Sequence, residues 1–208
     1  MKNKNQYGEC CLCSFVGKLS KEHIPPKSAY NDWKHPLKQH FKYCLCERCN
    51  GFTSDYAQEY CNVAKQTMIY LANIKPDKSI KLNIAVKMRP LRFVKYLTLL
   101  LLTTNNSKLK YLHPNLVSFL LNKESQDLSE KYKIHLNIFD TPMIFSTGLY
   151  TICDLNISNQ YILSEFRHIP FATIISLDQK FKDMIDISDL KSNSYRESRE
   201  ISLPVRFY

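Results

Sequence analysis

The chain has 208 residues, which leaves room for one compact domain or for a small domain fused to a larger one and excludes a large multidomain assembly. Apolar residues make up 44% and charged residues 23%, enough apolar material to bury a core, so a disordered chain is excluded as well. Twenty-nine Lys and Arg against 19 Asp and Glu leave a net charge of +10, which favours a polyanionic partner, nucleic acid ahead of an anionic membrane.

The N-terminus, MKNKNQYGEC, carries no apolar run that would mark secretion, and eight cysteines are too few for a disulfide scaffold. The thiols are therefore expected to be reduced, in a cytoplasmic protein. Six of the eight fall between Cys10 and Cys49, which predicts an N-terminal unit that depends on something other than a large apolar core. Tyr56, Tyr60, Val63, Thr67, Tyr70, Leu71 and Ile74 recur every three to four positions and predict a helix over residues 54–73, ended by Lys75-Pro76-Asp77. Two modules are expected on this basis, residues 1–75 and 76–208.

In the second, residues 79–86 alternate like a strand, and Pro90 suits the first position of an apolar helix ending near Thr104. The apolar run at 97–102 is far short of the roughly 20 residues a spanning helix needs, so a buried helix is expected and no membrane partner. A short helix follows Pro114. From Lys133 the runs KIHLNIF, MIFSTGLYTIC, QYILSEF and PFATIISL predict a small antiparallel sheet. FKDMIDISDL has a helical pattern, and the tail from Lys191 is expected to be extended and less ordered. The fold class is α+β.

Charge divides along the same line. Residues 1–75 carry +5, residues 76–111 carry +7 and residues 112–208 carry −2. Two Cys-x-x-Cys pairs, Cys10/Cys13 and Cys46/Cys49, face each other across 32 residues. Each pair supplies two thiolates at the bite of one knuckle, and two knuckles make the closed tetrahedral site of a structural zinc, whose binding energy would substitute for a core. Cys11 and Cys44 allow a shifted set, although a Cys-x-Cys bite suits a knuckle less well. Cys61 and Cys153 are read as ordinary thiols.

Between the knuckles lies Glu22-His23-Ile24-Pro25-Pro26, and Asn50 follows the second one directly. The order Cys-x-x-Cys, Glu-His-Ile-Pro, Cys-x-x-Cys-Asn and then a helix with an acidic residue resembles the zinc-stapled HNH endonucleases, over about residues 8–65. The resemblance implies a ββα-metal module in which a hairpin carries the histidine and a helix supplies the last metal ligand. Asn50 would, by similarity, orient the hairpin. The residue types suit phosphodiester hydrolysis on their own terms. His23 can take a proton from water near neutral pH, and Glu22, on the other side of an extended strand, can ligate a hard divalent ion such as magnesium. Nine residues on from Asn50, the family's common spacing, stands Glu59, expected as the further magnesium ligand where the family usually has His or Asn. Asp55, one turn earlier, is the less favoured ligand because Asp55-x-x-Gln58 reads as a capping box at the helix start.

Lys27, Lys34, Lys38 and Lys42 in the stretch before the second knuckle interleave with Tyr30, Trp33, Phe41 and Tyr43, as in a phosphate-tracking surface with stacking groups or, equally, a small aromatic core over the zinc. Lys87, Arg89, Arg92 and Lys95 are expected to add sequence-independent affinity, Arg92 and Lys95 sharing a helix face. The substrate is expected to be DNA, with RNA or a non-cleaving zinc-stabilised binding module as alternatives. The acidic C-terminal part is expected to bind a partner subunit, form a homodimer or position the nuclease. By analogy only, compact HNH proteins of this kind resemble bacterial defence nucleases, some of which work beside an ATPase.

Overall fold

The computed structural model describes residues 6–29, 40–74, 82–104, 108–138, 162–168, 170–177 and 184–205. The chain begins with an antiparallel sheet of β1 (Tyr7–Glu9), β2 (Val16–Ile24) and β3 (His40–Cys46), in the order β1-β2-β3. Its ladder pairs Ser20 with Leu45 and then Lys21 with Tyr43, so Cys44 is an unpaired bulge residue. Beyond the bulge, His23 faces Phe41 and Glu22 faces Lys42.

Helix α1 (Glu47–Ala72) follows β3 without a loop. It starts seven residues before the expected position, because the second knuckle is itself the first helical turn: Cys46 is the N-cap and Cys49 lies in the opening turn. Cys46 makes no side-chain capping bond, so the usual polar signal for a helix start is missing. Asp55-x-x-Gln58 lies inside the helix and is not its capping box.

Strand β4 (Leu82–Met88) buries Ile84, Val86 and Met88 on one face and pairs along its whole length with β9 (Arg199–Val205), from Leu82 opposite Val205 to Met88 opposite Arg199. The tail is thus a ladder strand and not a loose extension. On the other edge of β4, the Gln66 carboxamide accepts from the Lys87 N–H at 3.0 Å and donates to the Lys87 carbonyl at 2.8 Å, standing in for a neighbouring strand. Pro90 opens α2 (Pro90–Thr104), as expected. This helix is buried on nearly every face, including Lys95, and forms the centre of the molecule. Two short helices follow, α3 (Lys108–Leu112) and α4 (Pro114–Leu121).

The last sheet contains β5 (Tyr132–Ile138), β6 (Ile162–His168), β7 (Phe171–Leu177) and β8 (Ile185–Asp186), all antiparallel in the order β6-β7-β5-β8. The run MIFSTGLYTIC lies outside the described residues. The described part of FKDMIDISDL forms β8 and a 3-10 turn, Ser188–Ser192, not an α-helix. The α+β class stands, and the buried core is continuous from Cys10 to Val205 across the expected division at residue 75. Tyr60 of α1 stacks on Phe93 at 6.3 Å and packs on Tyr96 at 4.7 Å, while Phe171 meets Tyr60 and Phe93 edge-on at 5.9 Å. No helix among the described residues is long and apolar enough to cross a membrane.

Candidate functional site

Cys10, Cys13, Cys46 and Cys49 converge so that their sulfur atoms all lie within 4.8 Å of one another. Cys13 and Cys46 are 3.6 Å apart, close to the roughly 3.8 Å edge of a tetrahedron built on 2.3 Å zinc–sulfur bonds. The set is the Cys-x-x-Cys pairing. Cys11 and Cys44 contact each other and stay out of it. The first knuckle closes through Ser14, whose φ of 61° turns the chain back, and through the Cys10 N–H bonding the Phe15 carbonyl. The second closes in the first turn of α1, where the positive end of the helix dipole favours thiolates. Burial, and then its three neighbouring thiols, push the Cys49 thiol up. Four thiolates packed this way repel one another unless a cation sits among them, so the donor set fits a metal such as zinc. From the second half of the chain, Lys110 of α3 donates to the Cys10 carbonyl at 2.7 Å and to Glu9 at 2.8 Å, pinning the knuckle to the core.

Beside this cluster, Glu22, His23 and Asn50 line one cavity of about 180 Å³, with Lys21 and Lys27 at its rim and Thr53, Tyr96 and Thr103 in its walls. The hairpin delivers Glu22 and His23, and the first turn of α1 delivers Asn50. Burial holds the Glu22 carboxyl above the usual carboxylate range, against a hydrogen bond from Ser20 Oγ at 2.7 Å. No ion pair reaches Glu22 among the described residues. Its cross-strand neighbour Lys42 instead donates to the Thr104 carbonyl at 2.7 Å, at the end of α2. Burial, then the charges of Lys21 and Lys27, lower the His23 imidazole below its ordinary value. The cavity therefore brings together an imidazole, a carboxyl group with no ion-pair partner among the described residues, a carboxamide and two lysines.

Glu59 does not join them. Nine residues turn a helix through about 900°, which puts Glu59 half a turn away from Asn50. It is buried on the opposite face, where its Oε1 accepts from the Arg89 N–H at 2.9 Å and from Asn62 at 3.1 Å, and its Oε2 meets Arg89 Nη1 at 3.4 Å. Asp55 lies on that face too, bonded to Lys123 at 2.9 Å and to the Tyr195 hydroxyl at 3.0 Å. The Lys123 ammonium, then Tyr195, holds its carboxyl below the usual range. Both carboxylates line a separate, wider cavity of about 760 Å³.

Part of the expected basic surface is committed inside the protein. Lys95 is fully buried beneath α4, where it donates to the carbonyls of Phe119 and Asn122, so it is no phosphate contact and shares no exposed face with Arg92. Arg92 donates to the Tyr195 carbonyl at 2.9 Å and stacks on the Tyr195 ring, and Arg89 donates to the Arg196 carbonyl at 3.3 Å. Lys87 and Lys27 are exposed, whereas Lys34 and Lys38 lie outside the described residues. Sequence reasoning missed Lys21, although strand alternation places it on the same face as His23. It also missed the α2 side of the cavity, which carries no local signal. Comparison with family models, with curated proteins and with solved structures finds no match.

Proposed function

We propose that the protein is a metal-dependent endonuclease of HNH type that hydrolyses phosphodiester bonds in DNA. The observation that carries this reading is the convergence of Glu22, His23 and Asn50, from a hairpin and a helix, on one cavity rimmed by Lys21 and Lys27. His23, neutral at physiological pH because its pKa is lowered, takes the proton of the attacking water. Lys21 and Lys27 hold the phosphate by charge. Glu22 and Asn50 offer hard oxygen donors, in the number that magnesium takes from protein when substrate and water complete its shell. A bound divalent ion would neutralise charge on the phosphate and on the leaving oxygen. A structural zinc held by Cys10, Cys13, Cys46 and Cys49 would tie hairpin to helix and so would fix the spacing between His23 and Asn50. Asn50 thus takes the ligand role expected of Glu59.

Purified protein incubated with plasmid and magnesium tests the reading beside His23→Ala and Asn50→Ala. Both variants should lose cleavage, His23→Ala by about 10²- to 10⁴-fold. Equal cutting by wild type and His23→Ala removes His23 from the mechanism, and cutting of total RNA in preference to plasmid moves the substrate to RNA. The distance of Glu59 from the cavity favours one second reading, a zinc-stabilised module that binds nucleic acid without cutting it. That module would bind DNA in a salt-sensitive, magnesium-independent way and leave both plasmid and single-stranded DNA intact under every divalent ion.

A further inference from the structure

Among the exposed large apolar side chains of the described residues, one adjoins the proposed site. Phe41 lies directly across the β2–β3 ladder from His23, with its ring centroid 6.5 Å from the imidazole and its plane tilted by 55°. Its side chain is 51% exposed, so it belongs to no aromatic core over the cysteine cluster. Tyr43, on the same strand face, meets the Phe41 ring edge-on at 6.1 Å and fixes its orientation. The Lys21 ammonium lies 3.9 Å from the ring centroid.

We propose that Phe41 is a stacking platform for an unpaired base beside the scissile phosphate, so that the substrate is single-stranded or locally opened DNA and not an intact duplex. The inference rests on the reading of His23 as the base that acts at the phosphodiester. A ring held this close to His23 is within one nucleotide of the bond to be cut. The base of that nucleotide can lie on the ring only when it has left its own stack, because inside a duplex both of its faces are covered. Lys21, whose ammonium lies over the ring, is exposed and on a flexible stem, so the arriving base displaces it and it then meets the phosphate of the same nucleotide.

The test uses zinc-loaded protein without magnesium, titrated with a strand containing 2-aminopurine and with the same strand annealed to its complement. Wild type should bind the single strand and quench its fluorescence. Phe41→Ala should weaken single-strand binding on the order of 5- to 100-fold, abolish the quench and leave duplex binding unchanged. Phe41→Trp should restore both signals, while Phe41→Leu, which keeps apolar bulk but has no π face, should not. Equal weakening toward both substrates, no weakening, or rescue by leucine overturns the proposal. With magnesium added, single-strand cutting that survives Phe41→Ala unchanged also overturns it. Wild type that binds and quenches but never cuts keeps the stacking site and removes the nuclease reading. Wild type that binds neither substrate removes both.

Discussion

Lys95 sits over the Phe119 ring with its ammonium at the carbonyl end of α4, and burial lowers its pKa from the ordinary 10.5 to about 7. Below that value the group is charged in both folded and unfolded chains, and the folded state bears the full desolvation cost. Between about 7 and 10.5 the unfolded chain binds the extra proton, so stability rises with pH across this window, by up to about 1.4 kcal/mol per pH unit. Urea melts at several pH values should show that slope in wild type and a flatter one in Lys95→Met; parallel slopes would refute the assignment. Glu59 makes a different prediction. Removing its carboxylate leaves the Arg89 N–H without its acceptor, so Glu59→Ala should cost about 1–3 kcal/mol of stability, Glu59→Gln less, and folded protein of either kind should cut DNA as wild type does. Loss of cutting by well-folded Glu59→Gln would return Glu59 to the active site. That Glu22, His23 and Asn50 lie near one another was legible because a strand and a single turn carry them. That Glu59 lies apart from their cavity was not legible, because the helix starts seven positions earlier than expected, unmarked by any capping side chain, so that Asn50 and Glu59 share one helix and point half a turn apart.

At the scale of elements, the four-cysteine cluster clamps a three-stranded hairpin sheet to the first turn of α1. Tyr7, Phe15 and Val16 of that sheet are exposed, so its outer end draws little support from burial. Chelation, or Cys46→Ser, should therefore release about one zinc per chain and expose the β1–β2 amides to hydrogen exchange, while α2 and β5 stay protected. Uniform loss of protection would show instead that the cluster holds the entire fold. Residues 90–104 and 114–121 were readable as helices because each begins with a proline at a position where no N–H is needed. The tail was not, since its partner β4 lies more than a hundred residues away and strand pairing across such a separation leaves no local trace.

At the scale of the whole molecule, the four-cysteine cluster and buried area act together. The knuckle is pinned by Lys110, α1 shares its aromatic packing with α2 and Phe171, and Leu203 and Val205 of the last strand are buried in the common core. Ending the chain at Ser198 should thus lower stability by about 3–6 kcal/mol, from those two side chains alone, and a protease should then cut within β4. Unchanged denaturant midpoints would show that β9 is dispensable. The ribbon of β4 and β9 also bears on self-association. One edge is occupied by the Gln66 carboxamide, and β9 carries Pro204, which has no N–H to offer a neighbour. Each edge of the ribbon is thereby interrupted at one position, which disfavours the growth of a second sheet along it: one glutamine and one proline withhold part of the backbone that strand pairs elsewhere offer to a neighbouring copy.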